Sequence, residues 1–124
     1  MADSIDSGAL LSRSYALPHG PRVRLRLARQ GDLPALRALL EQRGVEAGDL
    51  ELTRLVRFDP ARTTLCATAF VGGTETVVGV GAIELAADAV PDTVVVDERL
   101  TEGLGELLGA ALTQRADAHA RRVA

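Results

Sequence analysis

Between Thr93 and Leu112 the chain reads TVVVDERLTEGLGELLGAAL: a β-branched run, a short acidic turn and a glycine-spaced entry into an apolar helix. That order sets a strand end beside a helix N-terminus, where unpaired backbone N–H groups and the positive end of the helix dipole can receive an anion. Gly103 and Gly105 leave the first helical turn bare, at a cost on the order of 1 kcal/mol each against alanine. Two reasons for that cost stay open: close approach of a ligand phosphate, or close packing of helix on strand. Thr101 is placed to cap the helix, and Leu104, Leu107, Leu108, Ala111 and Leu112 recur at helical spacing as its apolar stripe.

Few other residues offer chemistry. Gly79 and Gly81 sit at alternate positions of a strand, leaving one face open to a bulge, a helix or a ligand, and Glu84 projects toward the same cleft. Cys66 has no cation or histidine near it in sequence and reads as a small core residue. His19 reads as solvated in a polar segment. His119, among Arg115, Arg121 and Arg122, reads as a surface residue.

Elements that must hold these residues follow from the patterning. Residues 1–21 are mixed and polar with no secretory pattern, and read as a loose tail in which Tyr15 and Leu17 lie against the domain or a neighbouring chain. The single domain spans 22–124. Arg22 to Ala28 alternates with period two, so Val23, Leu25 and Leu27 face a core while Arg22, Arg24 and Arg26 face water, as on an edge strand. Asp32 caps a helix carrying Leu33, Leu36, Leu39 and Leu40, which Gly44 ends, and Asp49 caps a shorter one closed by Asp59-Pro60. Strands over 63–71 and 76–85 are joined by a glycine turn, and Thr93–Val96 is an apolar strand covered on both faces.

Composition narrows the function classes. The 124 residues hold 14 arginines and no lysine against 17 acidic residues, a formal charge of −3 that gives no electrostatic case for nucleic acid or an anionic membrane. The arginine preference reads as a compositional habit of a high-GC bacterial source. One cysteine excludes an intrachain disulfide or a cysteine metal cluster and suits a reducing cytoplasm. No stretch approaches the ~20 apolar residues of a membrane span.

From Arg22 the order is strand, helix, helix, strand, strand, strand, helix. With RLARQGDLPALRALL near the start and VVVDERLTEGLGELLGAAL near the end, it resembles the GNAT superfamily of N-acetyltransferases over about 100 residues. Gly103 and Gly105 match the small positions of that family's coenzyme A pyrophosphate loop, and Leu107 and Leu108 its following apolar pair. Leu100, Thr101 and Glu102 stand where the family has Gln or Arg, often glycine, and often a basic residue. The resemblance implies an α/β (α+β) fold with a mixed, mostly antiparallel sheet. It also implies acetyl-CoA on the backbone from Arg99 through Leu100, Thr101, Gly103, Leu104 and Gly105, with the acyl arm along Val94, Val95 and Val96.

The sequence ends about where the family's fifth strand begins, and no tyrosine follows the loop to protonate a departing thiolate. Two functions follow from the resemblance. One is a shortened GNAT-like module, weakly active or non-catalytic, that meets a protein partner or a second copy along its fourth-strand edge as an interaction or regulatory domain. The alternative is an acetyl-CoA-dependent N-acyltransferase in which a partner chain completes the cleft and Glu84 or Glu98 is the base that frees an amine. Neither version requires a metal.

Overall fold

The computed structural model describes residues 14–18 and 20–123. Alternating patterns of small and β-branched residues fold them into a five-strand meander in chain order, each strand antiparallel to the next: β1 (Ser14–Ala16), β2 (Arg22–Leu27), β3 (Arg62–Val71), β4 (Thr74–Glu84) and β5 (Thr93–Val96). Helices α1 (Leu33–Gln42) and α2 (Asp49–Val56) lie between β2 and β3, and α3 (Thr101–Val123) follows β5. The strand read from sequence as the fourth is therefore β5, because residues 14–16 of the expected tail pair with β2. Tyr15 lies opposite Val23, and Leu17 is buried in the core. Residues 1–13 and His19 lie outside the described residues.

Each sheet face carries its own core. Leu25, Leu65, Ala67, Val78 and Ile83 pack under Leu104, Leu108, Leu112 and Ala116 of α3. On the other face Cys66 and its cross-strand partner Val80 pack under Leu36, Leu39 and Leu40 of α1 and Leu52 and Val56 of α2. Burial pushes the Cys66 thiol up to about 12, so it is an inert core group.

The β3–β4 hairpin turns on two residues, Gly72 and Gly73, with φ of +60° and +83°, the left-handed pair that matches strand twist. Ala67 pairs with Gly79 but Thr68 with Val77, so Val78 is an extra residue, a bulge in β4. The bare face at Gly79 and Gly81 admits a helix: a Cβ at Gly79 would lie 3.0 Å from Leu108 Cδ1, and one at Gly81 2.7 Å from Leu112 Cδ1.

Three polar side chains depart from the sequence expectation, all for the same reason. Asp32 makes no side-chain cap on α1; its carboxylate receives Arg26 at 2.7 and 2.6 Å and the Arg29 N–H at 2.9 Å. Arg26 is accordingly folded against Asp32 instead of facing water, with 25% of its side chain exposed. Asp49 is the first residue of α2, behind Gly48 at the cap, and binds Arg37 at 2.8 Å. At Asp32 and Asp49 the charge-assisted bond to guanidinium takes the place of a side-chain cap on the following helix.

Candidate functional site

The turn after β5 is built on one carboxylate. Asp97, 4% exposed, accepts from the backbone N–H of Arg99 at 2.9 Å, from that guanidinium at 3.0 and 2.9 Å, and from Gln42 Nε2 at 3.5 Å. The Arg99 side chain holds the Asp97 carboxyl well below its ordinary range, at about 2. Glu98–Leu100 thus form a tight 3-10 turn, closed by Leu100 N–H on Asp97 O at 2.8 Å.

The helix proper begins later than Thr101. Glu102 (φ −86°, ψ 114°) and Gly103 (φ +92°, ψ −33°) break the helical path. Gly103 is therefore the cap residue, and its N–H donates to Glu106 Oε1 at 3.0 Å. A carboxylate three residues on that reaches back to the cap N–H is half of a capping box. The segment between β1 and β2 closes over this point. A Cβ on Gly103 would lie 2.8 Å from Pro18 Cδ, and one on Gly20 3.0 Å from Leu100 Cδ2. Packing and positive φ together account for Gly103. Nothing lies within 4 Å of the corresponding position at Gly105.

These residues do not fit a pyrophosphate as they stand. Asp97, Glu98, Glu102 and Glu106 face a single arginine over ten residues. Arg99 is neutralised by Asp97, and the amides of Arg99, Leu100 and Gly103 already have acceptors. An incoming dianion would have to displace Glu106 and approach the negative charge of the neighbouring carboxylates. Thr101 is exposed and is not the cap. Leu104 is fully buried in the α3 core.

Val94, Val95 and Val96 do share one strand. Val95 packs toward α1 and α2, Val96 toward α3, and Val94 is 40% exposed. Asp97 N donates to Val78 O at 2.8 Å, so by antiparallel alternation Val95 turns its backbone groups to β4 while Val94 and Val96 turn theirs outward. No described strand pairs with that outer edge.

Glu84 and Glu98 are not brought together. Glu84 ends β4 opposite Arg62, past the start of β5, whereas Glu98 lies beyond its far end, 3.8 Å from Arg43. The four residues of β5, about 13 Å of strand at ~3.3 Å per residue, separate them. An acyl arm running from the loop along β5 would end near Glu84. No cluster of metal-ligating side chains occurs among the described residues, and no described helix is long and apolar enough to cross a membrane.

Asp97 and Glu106 were missed in the sequence. The signal for Glu106 was present, as its spacing from Gly103 is that of a capping box, whereas nothing local marks Asp97 as buried.

No protein-family model and no curated protein sequence matches the chain. Among solved structures it is similar to the GNAT domain of S. lividans PAT, with a TM-score of 0.62 and 16% identity over 84% of this chain and 73% of that one. At that identity the likeness concerns architecture, and the architecture of this chain is GNAT-like.

Proposed function

We propose that this chain is a GNAT-like module that does not hold acetyl-CoA at its helix-head loop and serves as an interaction or regulatory domain, meeting a second copy of itself along the outer edge of β5. One observation carries the first half: the Glu106 carboxylate occupies the Gly103 N–H that a pyrophosphate would need. The outward backbone groups of Val94 and Val96 support the second half, because an apolar edge strand left open is a template for another strand.

Titration calorimetry with acetyl-CoA and with free CoA tests the cofactor half. The expected result is no saturable heat up to about 1 mM ligand. Micromolar binding that Gly105→Val abolishes would overturn it. The open space over Gly105 favours that second reading, an acetyl-CoA-dependent N-acyltransferase, since packing does not require glycine there. In that case Glu84, and not Glu98, lies where an acyl arm along β5 would finish.

A further inference from the structure

The composition gives arginine no role, yet the fold gathers five of the arginines around one cleft. Arg29, Arg54, Arg57, Arg62 and Arg115 line a cavity of about 550 Å³ in which Asp59 is the one acidic residue. The chain as a whole carries a formal −3, so this concentration of positive charge runs against its average. The cleft lies where the end of β2, the end of α2, the start of β3 and the later part of α3 converge.

Of the five, Arg62 alone is ion-paired among the described residues. Arg62 is held by Asp92 at 2.6 and 2.5 Å, but Arg54, Arg57 and Arg115 form no ion pair among the described residues. Arg115 is the most telling, because it is half-buried and the one side-chain hydrogen bond it makes among the described residues is from Nε to the Thr63 hydroxyl at 3.4 Å. Burial, and then repulsion from Arg122, lower its affinity for its own proton. A half-buried guanidinium facing a cavity whose one carboxylate, Asp59, forms no ion pair with it costs stability that an anion would return.

The walls are apolar as well as basic. Leu27 is 47% exposed and Phe58 is 86% exposed, both on the cleft. A volume of this size suits a small molecule buried on several sides, with its polar head fixed at a few points. A free phosphate would satisfy the arginines and leave the apolar wall wet.

We infer that this cleft is a binding site for a small organic anion, its carboxylate or phosphate head on Arg57 and Arg115 and its apolar body against Leu27 and Phe58. The site is separate from the helix-head loop and does not depend on the reading of that loop.

Calorimetry of the full chain with phenyl phosphate, phenylacetate and inorganic phosphate tests it. Saturable binding of at least one aromatic anion is expected, at least about tenfold tighter than inorganic phosphate because the ring adds apolar contact. Whichever aromatic anion binds tighter identifies the head group. Arg115→Gln and Arg57→Gln should each weaken that binding by about tenfold or more, the worth of one charge-assisted contact. Arg57 is exposed at the end of α2, so its variant leaves the fold intact even if Arg115→Gln disturbs Thr63. Absence of saturable binding for both aromatic anions up to about 10 mM, or wild-type affinity in Arg57→Gln, would overturn the assignment. Acetyl-CoA bound in the cleft by its phosphates would lose affinity in Arg57→Gln and keep it in Gly105→Val, which separates this site from the loop.

Discussion

Asp97 holds the turn between β5 and α3, and its protonation state sets how tightly that turn is held. Its folded-state value of about 2 lies below the ~3.9 of an unfolded aspartate, so the folded state binds the proton less readily. A group depressed in this way contributes stability that is fully present above about pH 4 and is lost as pH falls toward about 2. Asp32 and Asp92 are lowered by Arg26 and Arg62 and act in the same direction. Urea unfolding followed from pH 7 to pH 2 should therefore show a decline beginning near pH 4, with Asp97→Asn less stable at neutral pH and shallower in its decline. An Asp97→Asn variant whose curve runs parallel to wild type would separate this residue from the acid transition. The same carboxylate explains why Arg99 is no phosphate ligand, since its guanidinium is already bound to Asp97, two residues before it.

At the scale of elements, glycines divide into those the packing requires and those it does not. Gly81 must be bare because Leu112 of α3 lies 2.7 Å from where its Cβ would stand, with Thr93 O at 3.3 Å. Gly105 sits in the first turn of α3 with no neighbour within 4 Å. Gly81→Ala should then destabilise by roughly 1–3 kcal/mol as α3 is pushed off β4. Gly105→Ala should instead stabilise by roughly 0.5–1 kcal/mol, the ordinary gain of alanine over glycine in a helix. Chemical denaturation of the two variants checks both signs, and a loss of stability in Gly105→Ala would mean that something packs there.

Elements of this kind were readable in the sequence because their signals are local. The Gly72-Gly73 turn, the leucine stripe of α1 and the apolar stripe of α3 stand where period and punctuation put them, whereas the Thr93–Val96 strand has the expected bounds but lies at the edge of the described sheet with Val94 exposed, not covered on both faces at its centre. What could not be read depends on distant partners. Asp32 looks like a cap until β2 brings Arg26 beside it, and Asp49 looks like a cap until α1 brings Arg37. The arginine cleft draws on the end of β2, α2, β3 and α3, up to 86 positions apart between Arg29 and Arg115, so no sequence window contains it.

Across the whole molecule, both faces of the sheet are covered but its two edges differ. β1 closes one side with a short three-residue strand beside the arginines of β2, the usual way of blunting an edge. β5 on the other side carries no charge within its four residues and turns the backbone groups of Val94 and Val96 outward. If a second copy pairs there, a proline should act differently at adjacent positions. Val94→Pro removes an outward N–H and leaves the β4–β5 ladder whole, whereas Val95→Pro removes an N–H that β4 uses. Sedimentation should give a dimer for wild type and a folded monomer for Val94→Pro, while Val95→Pro lowers stability outright by circular dichroism melts. A monomeric wild type at about 100 µM, weaker than any association of functional strength, would sink the proposed partner at this edge and leave Val94 a solvated residue.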